Sequence, residues 1–272
     1  MATRAATTKK TPARRAPAKK STTVKSMPAR ATKLTFAGHI QQSVRSVSLW
    51  RALAAELIGT FLLASAVITG QGQPIIVLFA LVGIVLLVGS ISGAYVNPAV
   101  TIGALATRRI GWLRAVGYII AQSLGAMLAL VAFNAFLGST ATTGEADLFQ
   151  QTPTLFQAAD LATVAGKEWF VFGAEVLGAA ILAFAIANAT RERQDRVAAA
   201  FTAGLGIFLA LMVAVTAASY AGASAIINPA LAISLQAISW EMWPIAVYIL
   251  APVIGGIVGF VVYDLIRGRD NN

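Results

Sequence analysis

Asn97-Pro98-Ala99 and Asn228-Pro229-Ala230 are the residues of this chain whose types and spacing could do chemistry. An asparagine side chain caps a helix start by accepting from its first unpaired amides. A proline suits the first helical turn, where no amide donor is lost. The alanine that follows is small enough to let a second helix end touch the first. Two helices begun in this way and meeting end to end would bring two positive dipole ends together. Both carboxamides could then donate to one water. That water would be turned away from relaying a proton along a file, and the dipole ends would repel cations. As plain caps, the same residues would do nothing beyond starting a helix.

Two carboxylates stand out next. Glu56 lies in Ala55-Glu56-Leu57-Ile58-Gly59, and Glu175 in Ala174-Glu175-Val176-Leu177-Gly178. Each sits in an apolar run, where a carboxylate is costly and functional by default. A proton relay and a structural acceptor are both open readings. Elsewhere the sequence holds no metal-ligand cluster, no phosphate loop and no nucleophile with a base. No catalysis and no cofactor is expected. With no cysteine, disulfides and thiolate sites are excluded. The one histidine, His39, falls in a polar stretch and reads as inert.

The elements that must position these groups belong in lipid. Of the 272 residues, 57% are apolar and only 12% charged, too few charges for a soluble domain. Six long apolar stretches run over 49–68, 74–91, 112–137, 168–189, 197–218 and 243–266. Each can cross a hydrocarbon core about 30 Å thick at about 1.5 Å per residue. Two shorter pieces, 97–107 and 228–238, would reach about 16 Å, half a bilayer. They begin at the two Asn-Pro-Ala motifs.

Charge gives the orientation. Twelve of the 21 Lys and Arg lie between Arg4 and Arg51, and the first acidic residue is Glu56. With the N-terminus in the cytoplasm, Arg108, Arg109, Arg114, Arg191, Arg193, Arg196, Arg267 and Arg269 fall inside as well. Glu145, Asp147 and Asp160 fall outside in the loop 138–167, and Lys167 is the exception. The five tryptophans fall near span starts, where amphipathic rings favour the interface. Both short pieces must then leave the membrane on the side they entered. Such re-entrant backbone is tolerated only where protein or water covers it.

Each half therefore reads as a helix with Glu, a helix, an Asn-Pro-Ala half-helix and a helix. The first copy covers about 49–137 and the second about 168–266. Three spans per half invert the second copy, an arrangement used in transport. Residues 46–269 form the membrane domain, and 138–167 is an extracellular loop. Residues 1–45 are basic, rich in Ala, Thr and Pro, and expected to be disordered. A solvated tail that touches anionic lipid is the favoured reading of them. An organelle transit peptide stays open. Nucleic-acid binding is not expected, since no aromatic residues interleave with the charges.

Paired Asn-Pro-Ala motifs in two three-span halves, each with an upstream Ala-Glu-x-x-Gly, resemble the major intrinsic proteins, the aquaporins and glycerol facilitators. The resemblance covers about 51–267 and includes Gln122-Ser123-Leu124-Gly125-Ala126. It implies an all-α membrane fold and a passive channel for water and small neutral solutes. It also implies a homotetramer in the plasma membrane with both termini cytoplasmic. A glycerol-type facilitator is the alternative, and a coupled secondary transporter a weaker one. By the same resemblance, Glu56 and Glu175 accept hydrogen bonds from the re-entrant loops. The outer filter reads Val77, Thr216 or Ala217, Ala225 and Leu231. It departs from the family, which carries an Arg directly after the second motif where this chain has Leu231. An apolar ring of this kind is either wide or closed by dewetting. Tyr95 stands where the first motif has His in the family, near the cytoplasmic mouth.

The orientation is testable because the chain brings no cysteine of its own. A single cysteine replacing Arg191 is expected to react with an impermeant thiol reagent only in opened cells. A cysteine replacing Thr143 is expected to react in intact ones. Labelling of an intact-cell tail cysteine from outside would overturn the orientation.

Overall fold

The structure, a computed structural model, describes residues 36–140, 155–191 and 195–268. The tail up to residue 35, and Thr143, Glu145, Asp147, Arg193 and Arg269, lie outside the described residues. A short helix α1 (Phe36–Val44) comes first. This corrects the expectation that 1–45 has no structure throughout. Ile40 and Val44 stand one helical turn apart in α1.

Six helices among the described residues are long and apolar enough to cross a membrane. They are α2 (Val47–Thr69), α3 (Pro74–Ser92), α5 (Trp112–Thr140), α6 (Glu168–Ala189), α7 (Arg196–Ser219) and α9 (Met242–Arg267). Two short helices, α4 (Pro98–Ala106) and α8 (Pro229–Ser234), lie between α3 and α5 and between α7 and α9. The second half-helix is shorter than the apolar run suggested, because Gln236 turns the chain with a φ of 56°. Inside α9 one turn, Ala246–Leu250, is π-helical, and Ala251 N–H reaches back to Ala246 O. Pro252 follows, and its ring nitrogen has no N–H for the carbonyl four residues earlier.

Packing repeats between the halves. Helix α2 lies on α3 and α5, as α6 lies on α7 and α9. The halves join through α3 against α7, and each half-helix packs on the last span of the other half: α4 on α9, α8 on α5. Lipid tails offer these helices no hydrophobic drive, so close backbone approach must hold them. Glycines supply it. A Cβ on Gly125 would strike Leu57 O, and one on Gly259 would strike Ala180 O. A Cβ on Gly256 would strike Ala99 O at the start of α4.

One end of the bundle carries Arg109, Arg114, Arg191, Arg196 and Arg267, and is the basic face below. There Arg109 donates to Asp264 of α9 at 2.6 Å and to Ala187 O of α6 at 3.1 Å. Arg196 donates to Leu86 O at 2.7 Å. These bonds fasten the turn after α4, and the start of α7, to neighbouring spans. Away from the protein interior the helices present Phe79, Leu87, Val131 and Phe136, all more than 60% exposed, as suits a lipid-facing surface.

Two glycine substitutions should separate packing from propensity. Gly256→Val is expected to lower the thermal midpoint in detergent, at an overpacking cost of about 1–3 kcal/mol or more. Gly83 has nothing within 4 Å of an added Cβ. Gly83→Ala should hold or raise the midpoint, with a helix-propensity gain of up to about 1 kcal/mol.

Candidate functional site

Asn97 and Asn228 do cap α4 and α8. The Asn97 side-chain oxygen accepts from Ala99 N–H at 2.8 Å, and that of Asn228 from Ala230 N–H at 3.1 Å. Pro98 and Pro229 occupy the first helical position in each. Ala99 and Ala230 are fully buried, and the two half-helices touch. Each carboxamide also reaches across to the other half. Asn97 Nδ2 donates to Ile227 O at 2.9 Å, and Asn228 Nδ2 donates to Val96 O at 3.0 Å. The two motifs are thus cross-braced by a reciprocal pair of bonds. A carboxamide has two N–H donors, so the brace uses one on each residue.

The segments before the motifs are not regular. Ala94, Val96 and Ile227 have φ of 49°, 42° and 52°, in the left-handed region that side chains with a Cβ disfavour. The Ala94 amide donates to Ser92 Oγ at 3.0 Å, and Glu56 and Glu175 take up the loop amides that lead into the motifs. Glu56 accepts from Tyr95 N–H at 3.0 Å and Val96 N–H at 2.8 Å. Glu175 accepts from Ile226 N–H at 2.6 Å and Ile227 N–H at 2.7 Å. Both carboxylates are fully buried. The glycine three residues on lies on the same helix face. A Cβ on Gly59 would stand 2.7 Å from Val96 Cγ1, and one on Gly178 would stand 2.7 Å from Ile227 Cγ2. Glu-x-x-Gly is therefore one device: the acid grips the loop and the glycine makes room for it. The halves differ in support. Gln122 Nε2 donates to Glu56 at 2.8 Å and to Thr101 at 2.9 Å.

Three cavities follow one another through the molecule. The outer one, about 290 Å³, opens away from the basic face. Its wall includes Val77, Ala225, Leu231 and Asn228. A void of about 10 Å³ comes next, beside Asn97 and Asn228. It shares Leu182, Ile207 and Asn228 with the outer cavity, and Tyr95 and Ile186 with the third. That third cavity, about 470 Å³, is lined by Arg109, Arg114, Arg196, Ser92 and Thr190 on the basic face.

Thr216 is corrected by this arrangement. It is exposed and faces a separate groove with Lys167, Phe170 and Tyr220, as does Ala217. On α7 the cavity-facing residues are Ala199, Ala203, Ile207, Leu211 and Val215. The next residue is turned by about 100°. Val215 thus occupies the place expected for Thr216, and counting the stripe by fours would have found it. Phe156 was also missed. It lines the outer cavity from the segment before α6 and sits over Gly72, and the sequence there has no period to read.

The comparisons with known proteins agree with this geometry. The family model described as "Major intrinsic protein" matches residues 43–263. The chain belongs to the major intrinsic protein family. Aquaporin NIP1-1 of Zea mays is 31% identical over 239 residues, 82% of this chain and 77% of its own length. Glycerol uptake facilitator protein-like 6 of Lactiplantibacillus plantarum is 33% identical over 224 residues, 76% of this chain and 94% of its own. Among solved structures, the aquaglyceroporin from Plasmodium falciparum superposes with a TM-score of 0.61 over 80% of this chain and 97% of its own. At 17% identity, that likeness speaks for the fold.

For this member of the major intrinsic proteins, the carboxylate grip yields a graded expectation. Glu175→Ala strands two buried amides, at about 1–3 kcal/mol each. Glu175→Gln keeps one acceptor oxygen. Thermal midpoint and monodisperse yield in detergent should therefore fall in the order wild type, Gln, Ala. Equal stability of Ala and wild type would show that the loop does not depend on the acid.

Proposed function

We propose that this chain is a passive channel for water and small neutral solutes, conducting along the line of the three cavities. What carries this reading is the pair of cross-braced Asn-Pro-Ala helix starts lying on that line, with a cavity on either side. Two helix N-termini at mid-membrane put positive partial charge where a cation would have to pass. The N–H left on each Asn after bracing is available to a water, which turns its own hydrogens away from the neighbour.

Val77, Val215, Ala225 and Leu231 form the outer ring. It is apolar and bears no fixed charge. A glycerol-type facilitator is therefore the second reading, supported by the roomy outer cavity and by the similarity to a protein named as a glycerol uptake facilitator. Tyr95 stands at the inner mouth. The basic face is cytoplasmic, by the excess of arginine on it. The chain acts in the plasma membrane as a homotetramer, as the family resemblance implies. The basic tail lies on anionic lipid. Catalysis has no place in this reading.

Light scattering from reconstituted vesicles tests it. Vesicles with the protein should shrink faster than empty ones under an impermeant osmolyte, and should re-swell on glycerol or urea if the second reading holds. Asn97→Ala with Asn228→Ala should slow water flux at matched protein density, each cap contributing about 1 kcal/mol to the helix starts. Shrinkage no faster than that of empty vesicles would refute the channel.

A further inference from the structure

Resting on that channel reading, we propose that Tyr95 and Ile186 on the inner side of the Asn pair set the size limit for solutes, and that the outer ring does not. Three observations lead there. First, the residues of the outer ring line a cavity of about 290 Å³, whereas the void beside Asn97 and Asn228 holds about 10 Å³. A water needs about 10–15 Å³ by this kind of measure. The narrow void admits water one molecule at a time, and a three-carbon polyol does not fit without movement of its wall.

Second, the wall of the void is apolar apart from Tyr95 and the two Asn. Leu63, Leu81, Leu182 and Ile207 surround it. A solute that leaves the outer cavity must shed its hydration against these side chains, with two carboxamides as compensation. Third, the Tyr95 ring is held in place. Its backbone N–H is bound by Glu56. Its ring packs on Tyr118 with centroids 5.9 Å apart, and Tyr118 donates to Ser92 O at 2.8 Å. On the other side an added Cβ at Gly93, where φ is 98°, would stand 2.9 Å from the ring. Tyr95 and Ile186 line both the void and the basic-face cavity. They form the door between the two.

The outer cavity then works as a one-sided antechamber. Uncharged solutes too large for the inner passage enter it as far as Asn228 and are held there, while water and solutes below that limit pass.

Paired flux assays on reconstituted vesicles decide between the two rings. Tyr95→Ala is expected to raise glycerol permeability relative to water about tenfold, a barrier change of about 1.4 kcal/mol. Leu231→Ala, which enlarges the outer ring, should gain less. Ile186→Ala gives a second route should Tyr95→Ala fail to fold, with the same direction of change. The proposal is overturned if Leu231→Ala gains as much as the inner variants, or if neither inner variant raises the ratio. Should wild type conduct neither water nor glycerol, the channel reading falls by itself. The inner door then stands if Tyr95→Ala or Ile186→Ala opens a flux, and falls if both stay closed.

Discussion

Hydrocarbon offers no hydrogen bond, so every amide at mid-membrane must find its partner within the protein. Helices meet this demand by themselves. The two segments that lead into α4 and α8 cannot, because Val96 and Ile227 turn into the left-handed region and point their amides away from any regular ladder. A buried carboxylate on the first helix of each half accepts them in pairs. The rest of the architecture follows from that need. The acid must sit at mid-depth on a helix beside the loop, and a glycine one turn later must clear the loop's side chain. The two loops then approach closely enough for each Asn to reach the other's carbonyl.

The same device appears twice, yet the copies are not equal. Glu56 has Gln122 beside it, and Gln122 in turn holds Thr101 in α4. Glu175 is served by two backbone amides. Removing the acid from the first half therefore disturbs a side-chain network that includes the half-helix itself. In the second half the effect is confined to the loop.

Much of this was legible from the residues. The six spans were expected within two or three residues of their observed limits, because long apolar runs in lipid end at charge, glycine or proline. The capping of α4 and α8 followed from Asn-Pro alone. The loop-holding role of Glu56 and Glu175 came from family resemblance, since burial depth cannot tell an acceptor from a proton carrier. What escaped had physical reasons. The turn between Ser219 and Ser224 includes Gly222 at a φ of 83°, and no count along the sequence reveals how many residues such a turn absorbs. Counting back across that turn misplaces the position on α7 by one, where the four-residue stripe along α7 itself points to Val215. Asp264 lies in a span with no neighbour in sequence that announces its pairing with Arg109. The narrow place beside Tyr95 is a property of five helices and two loops at once, and no single segment encodes it.

The reciprocal brace also bears on how the chain is made. Asn97 and Ile227 are separated by 130 residues, and Asn228 and Val96 by 132. Synthesis runs at about 5–20 residues per second. The first half therefore waits in the bilayer for on the order of ten seconds with the Asn97 carboxamide and the Val96 carbonyl unmatched. Its re-entrant loop has Glu56 to hold it during that time, but no lid over its inner end. Until then the first half carries two polar groups at mid-depth whose partners are not yet made. Only when the second loop arrives can the two ends close on each other and shut out lipid.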